Sequence, residues 1–342
     1  MRGRTGERSA VASAAVPVVP VVPVVAAIMT ALVAGCAVEP DVASQGAVDI
    51  AGDDDRIGGP AVDLTGDSTI PNDPDVAVGM LANGLTYYIR ENDRPGGRAE
   101  LRLAIDAGSA HEATDQSGVA HFVEHMLFNG TEQFPENELL DVLRGFGADF
   151  GADINAYTSY DETVYQLTVA TDDDDVVATG LDVLAQWLSA ATIDPTAVEQ
   201  ERGVVLDEWR GSDQSSQGRL FDAIERLFLA GSGYEGRDPI GTSAAIESMT
   251  AEPLRRFYDA WYRPDNAAVV VVGDIDVDEI ERSIIDRFGP LAPRAPAPPA
   301  PDLVIAPSVD PDVEIHQDPD ETSTFVEVTL PLPATAQGRL AA

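Results

Sequence analysis

Two histidines and a glutamate lie close together in the segment 117–130. His121, Glu124 and His125 form the pattern H-x-x-E-H. In an α-helix, residues i and i+4 share one face and residue i+3 lies beside them, so these three side chains would point toward one place. Two imidazoles one turn apart suit Zn²⁺, and a neighbouring carboxylate can take a proton from a water that the metal activates. The alternative is an amphipathic helix whose histidines only form hydrogen bonds near a core.

The composition limits the classes of function. The chain has 342 residues, and 59 acidic against 21 basic side chains give a formal net charge of −38. Such a field repels nucleic acid and anionic membrane surfaces, so no nucleic-acid partner is expected. Cys36 is the only cysteine. Intrachain disulfides, a cysteine-ligated zinc site and a cysteine nucleophile in the folded domain are therefore excluded.

Residues 1–36 have the pattern of an export signal, with a basic start and a charge-free apolar run from Val11 to Gly35. The run ends in Leu-Val-Ala-Gly-Cys, which resembles the bacterial lipobox, so Cys36 is predicted to be lipidated. The lipid would anchor the protein to the outer face of a bacterial membrane, in the cell envelope. An uncleaved transmembrane anchor is the alternative, although three prolines would kink it. Residues 37–74 are predicted to be a disordered acidic tether.

Residues 75–289 are predicted to form one α+β domain, with helices layered over a mixed β-sheet. Asn83-Gly84 predicts a turn between two strands, and the β-branched and aromatic run at 156–169 predicts one long strand. Ser117 is predicted to cap the helix that carries His121, and Gly130 to end it. The other predicted strands are 76–81, 85–90, 99–107 and 267–273. The other predicted helices are 135–145, 176–191 (opened by four carboxylates at 172–175), 194–210, 220–230, 252–262 and 277–288.

The sequence changes character after residue 289. Eight prolines between Gly289 and Pro311 predict a semi-rigid linker at 290–312. Within 313–342, only Thr324–Leu330 has the pattern of a strand, and one strand cannot bury a core. Residues 313–342 are therefore interpreted as the incomplete start of a second domain, which either pairs with another chain or continues beyond this sequence.

A catalytic zinc that is bound by two histidines usually takes a third protein ligand and keeps one position for water. The predicted helix at 194–210 offers four carboxylates, Glu199, Glu201, Asp207 and Glu208. Glu201 and Glu208 are seven residues apart and so share a helix face. A solvated helix surface would explain the same pair. Spacing alone leaves the third ligand open.

Three motifs in the same order are found in the insulinase/pitrilysin family of zinc peptidases, which this chain resembles over residues 75–288. The first is the inverted H-x-x-E-H pattern. The second is the segment Asn155–Tyr165, which is similar to the family's strand beside the zinc. The third is the run Glu-Arg-Gly-Val-Val-Leu-Asp-Glu at 201–208, and 82 residues separate His125 from Glu208, close to the family's spacing.

The resemblance implies a role for each matching position. His121, His125 and Glu208 would bind one Zn²⁺ per chain, and Glu124 would be the general base. Glu201 would orient a metal ligand as part of the catalytic machinery. Asn155 and Ala156 would lie on the strand edge that holds the backbone of a peptide substrate. The chain would form the first half of a two-halved clamshell metallopeptidase.

The sequence therefore predicts a zinc-dependent endopeptidase that hydrolyses unstructured peptides or small proteins outside the cytoplasm. One alternative is a membrane-tethered peptide-binding or scaffold protein on the same fold, without catalysis. Such relatives generally lose metal ligands, whereas this chain keeps every one. A second alternative is an inactive half that needs a second-half subunit or a missing C-terminal half. A zinc-scavenging lipoprotein would need a His-rich tract, which the sequence lacks.

Overall fold

The computed structural model describes residues 73–135, 138–145 and 151–305, together with 313, 315–320, 324 and 326. The predicted export signal with Cys36 and nearly all of the predicted tether lie outside the described residues, as does most of the strand predicted at Thr324–Leu330. Among the described residues, no helix is both long and apolar enough to cross a membrane.

A mixed sheet of six strands forms the base of the domain, as predicted. The strands lie in the order β1-β2-β6-β3-β5-β4. Only β2 and β6 pair in parallel, and the other neighbours are antiparallel. The strands are β1 Ala77–Met80, β2 Thr86–Glu91, β3 Arg98–Ile105, β4 Ile154–Thr158, β5 Thr163–Ala170 and β6 Ala267–Gly273.

Eight α-helices accompany the sheet in the described part of the chain. They are α1 Val119–Asn129, α2 Glu138–Gly145, α3 Asp174–Ser189, α4 Pro195–Asp213, α5 Ser216–Leu229, α6 Ser243–Glu247, α7 Ala251–Trp261 and α8 Val277–Phe288. The short α6 was not predicted, since five residues are too few to show a helical period.

Alternating burial along the strands shows where the core lies. In β3, Leu101 and Leu103 are fully buried, whereas Glu100 and Arg102 between them are exposed. Successive side chains of a strand point to opposite faces, so one face of the sheet supports the helices and the other does not. The fully buried Trp187 of α3 is among the largest side chains of this core, and its indole N–H donates to the carbonyl oxygen of Leu127 in α1 at 3.0 Å. The layered α+β prediction is confirmed.

The predicted turn at Asn83-Gly84 joins β1 and β2. Gly84 has φ of +92°, a conformation that favours glycine, and a Cβ there would come within 2.6 Å of Asp265 Cβ. The single long strand predicted at 156–169 was wrong. The chain turns back at residues 159–162, so that β4 and β5 form an antiparallel hairpin.

The prediction that Ser117 caps the helix that carries His121 was also wrong. The N-cap of α1 is Gly118, with φ of +74° and no side chain to accept the first amide hydrogens. The prediction that a carboxylate opens the helix after 172–175 is confirmed, because Asp173 accepts a hydrogen bond from the backbone N–H of Asp175. Asp194 caps α4 in the same way, through the backbone N–H groups of Thr196 and Ala197.

The first residues of the proline-rich segment pack against the helices. The Arg294 guanidinium lies 4.2 Å from the centre of the Tyr258 ring and donates hydrogen bonds to the carbonyl oxygens of Ser189 at 3.0 Å and Tyr262 at 2.6 Å. Both carbonyls lie at the C-terminal ends of helices, where backbone oxygens lack partners within the helix. Arg294 therefore ties the segment to α3 and α7.

Candidate metal centre

Helix α1 places its two histidines side by side in the interior of the domain. The side chains of His121 and His125 are 11% and 19% exposed. Their rings meet edge to face with centroids 4.7 Å apart. The helix is apolar on most of its remaining surface, with Phe122, Val123 and Leu127 fully buried, so core packing fixes the direction in which the imidazoles point.

Glu208 of α4 reaches the same point from the neighbouring helix. Its carboxylate oxygens lie 3.6 Å from His121 Nε2 and 3.3 Å from His125 Nε2. Four ligands at about 2.0–2.1 Å around a tetrahedral zinc are separated from one another by about 3.4 Å. The two His–Glu208 separations are close to the edge of such a tetrahedron, and two imidazoles with one carboxylate are a ligand set that zinc accepts. The residues therefore fit the metal that the sequence predicts.

Glu201, one turn before the middle of α4, contacts His125 from the other side. Its Oε1 lies 2.8 Å from His125 Nδ1, and its Oε2 accepts a hydrogen bond from Asn129 Nδ2 at 2.9 Å. A carboxylate in this position favours the tautomer that carries its proton on Nδ1, which leaves Nε2 free to bind a metal. Glu201 thus lies where it can orient the His125 ring.

The electrostatics of the site favour positive charge. Burial by itself would lower the pKa of the His125 imidazole, but its hydrogen bonds with Glu201 and Glu208 outweigh burial and raise that pKa to about 10. Burial likewise opposes ionisation of Glu208, yet the two histidines hold the pKa of its carboxyl group well below the ordinary range. Two partly buried carboxylates beside the imidazoles stabilise a cation between them.

Glu124 lies beside the three candidate ligands and is buried. Its Oε2 accepts a hydrogen bond from the Thr158 hydroxyl at 2.7 Å. Thr158 is the last residue of β4, which forms an edge of the sheet. The candidate base is therefore held by the strand that the resemblance assigns to the substrate.

Asn155 and Ala156 lie on β4, two or three residues before Thr158. The backbone N–H of Ala156 donates to Asn155 Oδ1 at 2.9 Å, and β4 pairs with β5 on one side only among the described strands. A strand whose second edge is unpaired can add an extended peptide by backbone hydrogen bonds. Both residues are thus at a sheet edge next to the candidate metal centre.

Sequence reasoning missed two polar residues that contact this centre and one that contacts the start of α1. Thr158 and Asn129 contact Glu124 and Glu201, and Glu112 contacts the start of α1. The contacts of Thr158 and Asn129 join distant segments of the chain, and that of Glu112 joins a loop to a helix. Local spacing in the sequence therefore does not indicate any of them. Thr158 lies within the second motif and Asn129 lies four residues after His125, and these positions are the one signal that the sequence offers for them.

Comparison with known proteins identifies the family. Residues 87–249 match the family model described as insulinase (peptidase family M16), and residues 248–342 match the model described as the peptidase M16 inactive domain. The chain belongs to the insulinase family of zinc peptidases. The second match begins within the described domain and includes β6, which lies at the centre of the same sheet.

Among its relatives are two proteins named probable zinc protease PqqL. The one from Haemophilus influenzae is 41% identical over 222 residues, which is 64% of this chain and 24% of the relative. The one from Escherichia coli is 39% identical over 224 residues, which is 66% of this chain and 24% of the relative. This chain therefore spans about a quarter of the length of these curated relatives.

The fold is also found in solved structures. The first half of the periplasmic protease PqqL from Escherichia coli superimposes with a TM-score of 0.67 at 37% identity, covering 70% of this chain and 51% of that chain. The expectation that the chain corresponds to the first half of a longer metallopeptidase agrees with this coverage.

Proposed function

We propose that this chain is the metal-bearing part of a zinc-dependent endopeptidase that cleaves unstructured peptides or small proteins. The observation that carries the proposal is the convergence of His121, His125 and Glu208, whose candidate ligand atoms lie within 4.8 Å of one another, with the buried Glu124 beside them. Family membership supports it. The proposed stoichiometry is one zinc per chain.

In the proposed reaction, His121, His125 and Glu208 hold the metal and Glu201 orients the His125 ring. Bound zinc supplies the Lewis acidity that activates a water molecule and polarises the scissile carbonyl. Glu124 takes the proton of the attacking water and delivers it to the leaving amine. Thr158 holds one oxygen of Glu124 and leaves the other to accept the proton.

The substrate is proposed to bind as an additional strand along β4, where Asn155 and Ala156 would contact its backbone. Backbone hydrogen bonds do not distinguish side chains, so the proposal includes a broad sequence preference. The two PqqL relatives are about four times as long as the matching region, and residues 248–342 match the family's inactive domain. A second half, in the same polypeptide or in a partner subunit, is therefore proposed to complete the substrate chamber.

Export to the cell envelope is proposed from the signal pattern and from the similarity to a protein that is described as periplasmic. Lipidation of Cys36, and with it a membrane anchor, remains a prediction from the sequence. Mass spectrometry of the protein purified from membranes would test it, because a lipidated product would begin at Cys36.

The proposal is tested by Glu124→Gln, which keeps the shape of the side chain but cannot accept a proton. We expect the variant to bind as much zinc as the wild type and to lose at least about a hundredfold in turnover of an unstructured fluorogenic peptide. A chelator should abolish the wild-type activity, and Glu132→Gln, at an exposed position after α1, should leave it unchanged. Equal activity of Glu124→Gln and wild type would refute the role of Glu124.

A wild-type chain that binds zinc but cleaves no peptide would support the alternative of a half that needs its second half. The same assay repeated with the matching second half would then separate that alternative from a non-catalytic scaffold.

A further inference from the structure

A buried carboxylate outside the metal centre caps the helix that carries both histidines. Glu112, 4% exposed, lies seven residues before the first residue of α1. Its Oε2 accepts a hydrogen bond from the backbone N–H of Gly118 at 3.2 Å, and its Oε1 accepts one from the backbone N–H of Ala120 at 2.9 Å. Both amides lie at the N-terminus of α1, where backbone N–H groups have no partner within the helix.

The helix needs this external cap because its own N-cap residue is a glycine. Gly118 has φ of +74°, and a Cβ at this position would lie 2.5 Å from the carbonyl oxygen of Ile240. The packing of Ile240 therefore excludes the serine, threonine or aspartate that usually caps a helix. Glu112 supplies the missing acceptor from the loop that precedes the helix.

The capped turn is the one that contains the first metal ligand. His121 directly follows Ala120, whose N–H is held by Glu112. His125 is fixed by Glu201, but His121 Nδ1 is buried and has no hydrogen-bond partner in the described part of the chain. The direction of the His121 ring thus depends on the packing of α1 and on the backbone of its first turn, and first turns of helices fray when their amides are uncapped.

The Gly-rich loop at 231–241 covers this region. Arg237 donates a hydrogen bond from Nη1 to the backbone carbonyl oxygen of Glu112. A Cβ on Gly241 would come within 2.7 Å of Gly118, so the loop packs directly on the start of α1. Burial raises the pKa of the Glu112 carboxyl to about 7, against the opposing effect of the backbone N–H donors and of Arg237. Burial of the Glu112 carboxyl group is unfavourable for its charged form, but its two oxygens accept the hydrogen bonds of the first amides of α1.

We propose that Glu112 is a positioning residue of the metal centre, which sets the direction of His121 by holding the backbone amides of Gly118 and Ala120. The inference deepens the proposed function and rests on it. We therefore expect the affinity for a metal ion, and the geometry of its ligands, to depend on the Glu112 carboxylate, although Glu112 is not one of the candidate ligands.

The test uses the full chain and compares Glu112→Gln with Glu138→Gln. Glu138 is an exposed glutamate in the first turn of α2, so the control removes the same charge from another helix start. In Glu112→Gln, the amide oxygen could still accept a hydrogen bond from one of the two backbone N–H groups. The amide NH₂ group would face the other backbone N–H, and two donors cannot form a hydrogen bond with each other. We expect zinc affinity, measured by competition with a chromophoric chelator, to fall by about tenfold in Glu112→Gln and to stay unchanged in Glu138→Gln.

The visible absorption spectrum of the Co²⁺-loaded chain gives a readout that a loss of stability alone would not move. We expect its bands to shift in Glu112→Gln, because the His121 ligand is displaced, and to match wild type in Glu138→Gln. Equal zinc affinity and identical Co²⁺ spectra for Glu112→Gln and wild type would overturn the inference alone. A wild-type chain that binds no zinc would overturn the proposed function and this inference together.

Hydrogen exchange of the wild-type chain keeps the inference testable should Glu112→Gln fail to fold. The Ala120 amide is expected to exchange slowly because Glu112 holds it. The Glu252 amide in the first turn of α7, whose N-cap Thr250 forms no side-chain cap, should exchange faster. Equally fast exchange at Ala120 and Glu252 would contradict the cap.

Discussion

Glu208 is the one candidate ligand that does not come from α1, and it places α4 beside the candidate metal centre. Because its carboxylate lies near the Nε2 atoms of both histidines, its removal would leave two imidazoles without the negative charge that balances a divalent cation. We expect Glu208→Ala to lower the zinc content of the purified chain by at least about tenfold, as measured by metal analysis.

Asp207→Ala provides the control for this prediction. Asp207 is the neighbouring carboxylate on α4, but its side chain is 76% exposed and pairs with Arg210 at 2.6 Å. This variant should retain the zinc of the wild type. Full zinc occupancy in Glu208→Ala would show that another residue is the third ligand.

Thr158 offers a second prediction, because it joins the candidate base to the edge strand. Thr158→Val keeps the side-chain shape and removes the hydroxyl that donates to Glu124. We expect kcat for an unstructured peptide to fall by about tenfold with little change in KM or zinc content. Thr158→Ser restores the hydroxyl and should restore kcat, so an inactive Thr158→Ser would contradict the role of this hydrogen bond.

Some residues of the site could be predicted from local spacing, others only from the family resemblance, and others not at all. His121, Glu124 and His125 follow from local spacing, since a helix brings positions i, i+3 and i+4 together. The convergence of Glu208 with them could be expected only from the family resemblance, because nothing within 82 intervening residues specifies the packing of α4 on α1. The polar contacts around the ligands depend on that packing and could not be read from the chain.

At the scale of elements, hydrogen bonds join the end of α1 to the connection that leads into α4. The backbone N–H and the hydroxyl of Thr192 both donate to the carbonyl oxygen of Gly130, at 3.2 and 3.0 Å. Arg255 of α7 donates to the carbonyl oxygen of Ala191 at 2.9 Å. The two helices that carry the candidate ligands are thus fixed to each other close to where one ends and the other begins.

The start of α1 is equally constrained, and two glycines allow that constraint to be measured. Gly118 and Gly97 have nearly the same φ, +74° and +70°, but only a Cβ on Gly118 meets other atoms. We expect Gly97→Ala to lower the free energy of unfolding by about 1 kcal/mol, the cost of the left-handed conformation alone. Gly118→Ala should lower it by about 3 kcal/mol, because a clash with the Ile240 carbonyl is added.

Urea unfolding followed by circular dichroism would measure both variants. Equal effects of the two substitutions would mean that the loop at 231–241 can move away from the helix, which would weaken the argument for a fixed first turn of α1.

Element prediction failed where the local turn signals are weak. Residues 159–162, Ser-Tyr-Asp-Glu, contain neither glycine nor proline, and their β-branched and aromatic flanks continue the strand pattern. The turn is held locally, because Ser159 Oγ accepts hydrogen bonds from the backbone N–H groups of Asp161 and Glu162. Tertiary contacts also hold it, because the backbone N–H groups of Ser109 and Ala110 donate to the carbonyl oxygens of Ser159 and Tyr160. Ser117 failed as a cap for the same kind of reason, since the position of Ile240 decides which residue can occupy the N-cap.

At the scale of the whole molecule, Arg294 connects the segment after the sheet domain to the helix layer. Its guanidinium stacks on Tyr258, donates to helix-terminal carbonyls and pairs with Asp259 at 3.0 Å. We expect Arg294→Lys to lower the free energy of unfolding by about 2 kcal/mol, because an ammonium group cannot reproduce the planar fork. Arg282→Ala, at an exposed position on α8, should change it by less than about 0.5 kcal/mol in the same thermal or urea unfolding experiment. Similar stability of Arg294→Lys and wild type would show that the stacking and fork contacts contribute little.

The position of β6 has a consequence for the order in which the chain can acquire its structure. β6 lies between β2 and β3 and is the only strand that joins the β1–β2 pair to the rest of the described sheet. It is also the last strand of that sheet to leave the ribosome, well after α1 and α4, which carry the candidate metal ligands. Until residue 273 has emerged, the N-terminal hairpin has nothing to pair with, and the nascent chain must keep two exposed sheet edges from associating with other molecules.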